Sequence, residues 1–185
     1  MLKSSKKLLV VLIAVVMTLG LLGVVPLTAS AANTTYDNLY ASVQGEVNAA
    51  AAYRAFADKA DAEGYPVIAR LFRATADAEA KHADDEWAIL QGMGATVRPT
   101  AETPVVGTTA QNLQNSFDGE TYEYTVMYPG YRATAQTESQ SAAATIFYRA
   151  MKAEEVHAGN FADVKTMLQG SNISGINTKY ATLYR

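Results

Sequence analysis

Cysteine is absent from the 185 residues. Its absence excludes disulfides, a catalytic thiol, a zinc–cysteine site and an iron–sulfur centre held by these residues. Histidine is almost as scarce, since the sequence contains only His82 and His157. Any site that needs imidazole therefore has two candidates.

Basic residues are few once the N-terminal segment is set aside. Residues 1–31 hold three lysines and no acidic residue, so the remainder carries 12 basic and 18 acidic side chains, a net charge of −6. Nucleic-acid binding requires a basic surface, and adhesion to anionic lipid requires basic clusters. We therefore expect no nucleic-acid partner.

Residues 1–31 are predicted to be a signal peptide. Three lysines precede an uncharged run over residues 8–25, and Ala29-Ser30-Ala31 provides a small-x-small cleavage site. Cleavage there leaves enough chain for one domain. The alternative is an uncleaved anchor, because the run is at the lower limit for spanning a bilayer. In either case we expect an exported protein, secreted, periplasmic or in the cell envelope.

Four long segments have helical periodicity and end at glycine or proline. They are predicted at about Tyr36–Glu63, Pro66–Gln91, Ala110–Thr137 and Ser139–Leu168. Two short joints favour antiparallel hairpins, and the proline-containing stretch at 93–109 is long enough to cross between them. The prediction is an all-α four-helix bundle over residues 32–170, two helical hairpins joined by a long crossover, followed by a tail at 171–185.

The two halves repeat. Gly45-Glu46 recurs 74 residues later as Gly119-Glu120, and Glu79-x-x-His82 recurs 75 residues later as Glu154-x-x-His157. An internal repeat of this kind predicts a site with approximate two-fold symmetry between the hairpins.

The repeated residues form a metal-ligand pattern. Glu-x-x-His places both side chains on one helix face, and both histidines of the chain lie in such pairs. One glutamate from each of two helices plus Glu-x-x-His from the other two is the ligand set of di-iron and di-manganese bundles. Two cations would also offset the repulsion among buried carboxylates. The predicted ligands are Glu46, Glu79, His82, Glu120, Glu123, Glu154 and His157; Glu63, Glu86, Glu138 and Glu155 are interpreted as solvated.

At these residues the sequence resembles the rubrerythrin family. The matching stretches are Gly45-Glu46 through Tyr53-Arg-Ala-Phe56, Glu63-Gly-Tyr65, Ala78-Glu79-Ala-Lys-His82-Ala83, Gly119 through Pro129, and Ala153-Glu154 to His157. The resemblance covers about Tyr36 to Leu168. It implies a ferritin-like bundle that holds two iron ions cycling between Fe2+ and Fe3+, with manganese as the alternative metal.

The resemblance also implies roles for individual residues. Glu79 and Glu120 correspond to carboxylates that bridge the metals. One iron would use Glu46 with His82 or Glu123, moving between the latter two as its redox state changes. The other would use Glu154 and His157.

Tyr53 and Tyr128 correspond to tyrosines that hydrogen-bond to the site's carboxylates. Tyr53 stands seven residues after Glu46, on the same helix face. Tyr128 stands five after Glu123, a poorer match that a helix distortion at Pro129 would correct. The alternative for both is ordinary core packing.

The implied activity is reduction of hydrogen peroxide to water. Typical rubrerythrins append a rubredoxin domain that delivers electrons, but these residues contain no cysteine. A rubredoxin-like or other external carrier is therefore expected as partner, and the resemblance implies a homodimer. Two alternatives remain: a ferroxidase or iron-handling protein that uses dioxygen, and a non-catalytic metal-binding envelope protein.

Overall fold

The computed structural model describes residues 34–180, so the predicted signal peptide lies outside the described residues. Its helices are α1 (Thr35–Ala62), α2 (Pro66–Gly92), α3 (Thr109–Tyr122), a π-helical turn (Glu123–Met127), α4 (Tyr128–Thr137), α5 (Ser141–Gln169) and α6 (Ile173–Tyr180). No strand occurs within this range. The all-α prediction is confirmed, and every predicted helix end lies within two residues of the observed one.

The first helix of each hairpin begins at a capping box. Thr34 with Asp37 starts α1, and Thr108 with Gln111 starts α3. In each pair the threonine side chain accepts from the third backbone N–H, and the third residue accepts from the threonine backbone. The repeat therefore extends to the signals that start the helices.

The joint of each hairpin caps the other hairpin. Glu63, after α1, accepts a 2.9 Å hydrogen bond from the backbone N–H of Thr109. Glu138, after α4, accepts one of 2.9 Å from Thr35. The interpretation of these two glutamates as merely solvated is incomplete, because their carboxylates tie the hairpins together.

The crossover at residues 93–108 contains no helix, as predicted. It lies along α1, where Gln44 Nε2 donates to the carbonyl of Thr100 at 3.0 Å. Asn48 Oδ1 accepts from the backbone N–H of Glu102 at 2.9 Å. These bonds hold the crossover against the outside of the first hairpin.

The third long segment is not one continuous α-helix. The π-helical turn separates α3 from α4, and such a turn accommodates one extra residue. The repeat offset changes across it, from 74 between Glu46 and Glu120 to 75 between Tyr53 and Tyr128. The distortion expected at Pro129 therefore begins earlier, and the proline lies in the first turn of α4.

The segment after Leu168 differs from the predicted tail. It contains α6, whose Ile176 and Tyr180 are buried. The Tyr180 hydroxyl donates to Asp163 of α5 at 2.7 Å. This short helix was not predicted, because two apolar contacts in eight residues give too weak a periodicity to read from sequence.

Two apolar clusters fill the bundle, and a layer of glutamates separates them. One cluster includes Tyr53, Phe72 and Phe161, and the other includes Trp87 and Phe147. On α1, α2 and α5 a buried glutamate stands between residues of the two clusters. None of the helices between residues 34 and 180 is long and apolar enough to cross a bilayer.

Candidate metal centre

Four glutamates meet in the layer between the apolar clusters, one from each long segment of the bundle. Glu46, Glu79, Glu120 and Glu154 are between 0% and 3% exposed. Burial of four carboxylates is strongly unfavourable unless cations or protons compensate them. This layer is therefore the place to look for a ligand.

The two histidines approach the same pair of carboxylates. His82 Nδ1 lies 3.0 Å from Glu79 Oε2 and 3.0 Å from Glu154 Oε1. His157 Nδ1 lies 3.0 Å from Glu79 Oε1 and 2.7 Å from Glu154 Oε2. Each of these two carboxylates thus presents one oxygen to each histidine, which is the arrangement of a carboxylate shared by two metal ions.

The other two glutamates each belong to one histidine. Glu46 Oε1 lies 3.8 Å from His82 Nδ1, and Glu120 Oε2 lies 3.5 Å from His157 Nδ1. The result is two overlapping four-residue groups whose ligand atoms lie within 4.8 Å of one another: Glu46, Glu79, His82 and Glu154, and Glu79, Glu120, Glu154 and His157. The structure brings six of the seven predicted ligands together as two metal-sized groups.

The geometry corrects the expected bridging pair. Glu79 belongs to both groups, as expected, but Glu120 belongs only to the His157 group. The second shared carboxylate is Glu154. The symmetry of the repeat explains this, because Glu154 is the counterpart of Glu79 whereas Glu120 is the counterpart of Glu46.

Glu123 stands apart from the other predicted ligands. It is half-buried on the π-helical turn and belongs to neither group. Burial, followed by the charges of Glu120 and Glu154, raises its pKa well above the usual range. Its role as a ligand, and an exchange of iron between it and His82, stay predictions.

Several of the ligand atoms of this cluster make no hydrogen bond with one another. Among the described residues, both oxygens of Glu79, Oε1 of Glu154 and Nδ1 of His82 have no hydrogen-bond partner, although some lie 3.0 Å apart. Ligand atoms that converge without hydrogen-bonding to one another are suited to binding a shared cation. Two imidazoles and several carboxylates are ligands that iron accepts.

Electrostatics show the same need for cations. Burial raises the pKa of Glu120 to about 8. Burial and then the charge of Glu79 raise the pKa of Glu46. Burial opposes ionisation of Glu79 too, but the imidazoles of His82 and His157, each 3.0 Å from one of its oxygens, hold its pKa at about 2. Without metal, the cluster must therefore retain protons that two divalent ions would replace.

Both predicted tyrosines contact the site, in a crossed pattern. Tyr53 of α1 donates to Glu120 of the second hairpin, and Tyr128 of α4 donates to Glu46 of the first. Tyr53 thus bonds across the bundle and not to Glu46 on its own helix. Both hydroxyls are buried, so each is a hydrogen-bond donor to a ligand as well as a core residue.

Sequence reasoning missed Glu86. It was interpreted as solvated, but it is 0% exposed. Its Oε1 lies 3.2 Å from the Tyr128 hydroxyl. Burial raises its pKa to about 7. A signal was available, because residues 79, 82 and 86 share one helix face at i, i+3 and i+7 spacing.

The chain has clear relatives. The sequence profile described as Rubrerythrin matches residues 37–165. Nigerythrin of Nitratidesulfovibrio vulgaris is 41% identical over 133 residues, 71% of this chain and 66% of that protein. Rubrerythrin of Porphyromonas gingivalis is 33% identical over 66% of this chain and 62% of its own length. The chain thus spans about two thirds of these relatives.

Solved structures agree with the sequence relatives. Nigerythrin in its fully reduced, all-ferrous state superposes with a TM-score of 0.72 and 38% identity, over 78% of this chain and 72% of that one. An open-pore ferritin from Archaeoglobus fulgidus, at 16% identity and a TM-score of 0.65, shows the ferritin-like fold alone. The chain belongs to the rubrerythrin family of di-iron proteins, and its Glu–His cluster is able to hold the metal centre of that family.

Proposed function

We propose that this protein reduces hydrogen peroxide to water with electrons from a separate donor. The observation that supports it best is the double presentation of Glu79 and Glu154, each with one oxygen toward each histidine. That arrangement suits two ions side by side. Two ferrous ions held there would supply one electron each and would act as Lewis acids, which is the chemistry that a two-electron cleavage of an O–O bond needs.

The chain's own residues arrange the site and manage protons. The glutamates and histidines hold the two positions, and the surrounding apolar clusters exclude bulk water. Reduction of one peroxide to two waters consumes two protons. Tyr53 donates a hydrogen bond to Glu120, and Tyr128 donates one to Glu46. Each hydroxyl proton therefore lies beside a predicted ligand, through which it can be passed toward the peroxide.

The donor is proposed to be a rubredoxin-like or other low-potential carrier. These 185 residues contain no cysteine and so no iron–thiolate group of their own. The basic and apolar N-terminal sequence supports export, and the donor would then act outside the cytoplasm. Sequencing the N-terminus of the protein recovered from its native host tests that location; a start at Ala32 is expected.

The central experiment is anaerobic loading with Fe(II), followed by measured additions of peroxide. We expect two Fe(II) oxidised per peroxide, both irons retained, and a halt at the di-ferric state until a reductant such as reduced rubredoxin is added. Rapid oxidation by dioxygen with release of Fe(III) would favour iron handling instead. A bound metal that does not change redox state would favour a structural role.

A further inference from the structure

The Glu86 carboxyl is the buried titratable group that the proposed function leaves unused. It stands on α2, four residues after His82, in contact with Tyr128 and Ser42. The groups that face it are Tyr128 and Tyr131 of α4, His82 of its own helix, Glu46 of α1, Glu154 of α5 and Glu123 of the π-helical turn.

The hydrogen bonds around Tyr128 require one more proton than its hydroxyl neighbours supply. The Tyr128 oxygen contacts Glu46, lies 3.2 Å from Glu86, and lies 3.1 Å from Ser42 Oγ. Three contacts between oxygens need three protons, and the two hydroxyls carry one each. Wherever the Ser42 proton points, one contact lacks a proton unless a carboxyl is neutral.

The missing proton belongs on Glu86 when metal is bound. Glu46, as a ligand, must then be ionised, so it accepts the Tyr128 proton. The hydrogen-bond partners of Glu86 are the hydroxyls of Tyr128 and Ser42, not cations, and Glu86 is fully buried, conditions in which a carboxyl stays neutral. In the metal-free chain, burial raises the pKa of Glu86 to about 7.

The other half of the site has no equivalent of this group. The offset of 75 that relates Glu79 to Glu154 relates Glu86 to Phe161. Phe161 packs 5.4 Å from the Tyr53 ring and 5.4 Å from the Phe72 ring. The Glu86 carboxyl therefore lies beside the His82 half of the centre, and the His157 half has a phenylalanine at that position.

We propose that Glu86 is a neutral positioning residue that holds Tyr128 as a donor to Glu46 and stores a proton for that side of the centre. In the transfer, Glu86 gives its proton to the Tyr128 oxygen while Tyr128 passes its own through Glu46 to a peroxide oxygen, so that Glu46 ends the step ionised, as a ligand must be. Glu86 becomes a carboxylate and regains a proton from water between turnovers. The kinetic part of this inference rests on the proposed peroxide reduction.

Infrared spectroscopy of the anaerobic Fe(II)-loaded protein tests the proton without any turnover. The wild type should show the carbonyl band of a neutral carboxyl, and Glu86→Gln should lack it. In Tyr128→Phe the band should move, because Glu86 loses its acceptor; this variant keeps the test open if Glu86→Gln does not fold. A wild-type minus Glu86→Gln difference spectrum without such a band, or no band that moves in Tyr128→Phe, overturns the proposal; a band from Glu123, whose pKa burial also raises, cancels in the difference.

Single-turnover oxidation by peroxide, followed across pH, tests the role in proton supply. Glu86→Gln keeps a donor to Tyr128 but has no proton to release, so we expect both irons bound and oxidation at least about tenfold slower. Glu86→Leu should be slower still. The matched control is Phe161→Leu in the other half, which should lose packing but keep the wild-type rate and pH profile.

The outcomes separate this inference from the proposed function. If the wild type is not oxidised by peroxide, the proposed function fails, while the infrared band still decides whether Glu86 is neutral. If the wild type reacts and Glu86→Gln matches its rate and pH profile, the proton-supplying role is overturned.

Discussion

The two halves of the metal centre have the same ligands in different surroundings. One half has Glu46, His82 and Tyr128, and beside them the polar groups of Ser42 and Glu86. The other has Glu120, His157 and Tyr53, and beside them the rings of Phe72 and Phe161. Ser116, the counterpart of Ser42, bonds the backbone of its own helix at 2.8 Å.

This difference shows that the internal repeat preserves the metal ligands but not the residues around them. Metal binding needs two glutamates and one histidine from each half, so those positions are alike. The titratable group proposed to resupply protons lies beside one half only, and the other half has apolar packing where the first has hydrogen bonds. A symmetric scaffold thus carries an asymmetric site, and variants in matched positions can measure the asymmetry.

The largest effect should come from the carboxylates that both halves share. Glu79→Ala and Glu154→Ala should each lose both metals, because each removes a ligand from both groups. Glu46→Ala and Glu120→Ala should weaken mainly the metal in their own half. Metal content per chain after anaerobic Fe(II) loading and desalting measures this.

The control for that series is Glu155→Ala, next to Glu154 but exposed and paired with Lys152. It should retain two metals. A wild type that saturates at one metal per chain would contradict the shared-carboxylate geometry.

The sequence predicts these ligands because their spacing is local. Glu-x-x-His, the glycine and proline at the joints and the two repeats all follow from residues close together in the chain. The shared pair was misassigned because bridging depends on which oxygens face each other across the bundle. Spacing along the chain does not give the distances between the carboxylate oxygens of Glu120 or Glu154 and the two histidines.

Other features left a trace in the sequence that single-helix reasoning did not use. The change of offset from 74 to 75 locates an extra residue between Glu120 and Tyr128, the region of the π-helical turn. The helix face shared by Glu79, His82 and Glu86 indicated that the Glu86 carboxyl is buried as well. Buried glutamate is rare enough that Glu86 was interpreted by the usual behaviour of its residue type.

Metal removal should have the next largest effect, with a pH dependence of definite sign. The folded pKa of Glu120 is about 8, above its ordinary 4.5. Between those values the unfolded chain releases a proton that the metal-free fold keeps. Its free energy of unfolding should therefore fall as pH rises from about 4.5 to 8. His82, with pKa raised to about 10 by Glu154 and Glu79 against burial, extends the fall above pH 6.5.

Urea denaturation at several pH values tests this. Iron at a hundredfold excess over Kd should add about 2.7 kcal/mol per site, more at higher pH because ligands bind deprotonated. Glu120→Gln should flatten the slope of the metal-free protein. Equal stability with and without iron would argue against a buried cluster.

The two tyrosines give a direct comparison of the halves. Tyr53→Phe and Tyr128→Phe each remove a hydroxyl from a ligand, and each should cost about 1–3 kcal/mol of metal-loaded stability. Only Tyr128→Phe should change the pH profile of the peroxide reaction, since only Tyr128 connects to Glu86. Stopped-flow oxidation measures the profile, and identical profiles for both variants would remove the functional asymmetry.

The smallest effect concerns the paired caps, where the halves should behave alike. Hydrogen bonds from Thr109 lower the pKa of Glu63 to about 2, and those from Thr35 lower the pKa of Glu138. A lowered carboxyl pKa stabilises the fold above the ordinary value of 4.5, and for Glu63 this contribution disappears as pH falls through about 2.

Glu63→Gln and Glu138→Gln keep an acceptor but remove the negative charge that favours a helix N-terminus. Each should therefore lower the melting temperature slightly at pH 7 and hardly at all near pH 2. Thermal melts of both variants at the two pH values provide the measurement, with Glu155→Gln as an exposed control. Equal losses would show that the symmetry holds at the ends of the bundle and breaks only beside the metals. A much larger loss for one cap would show that the asymmetry reaches the joints of the hairpins as well.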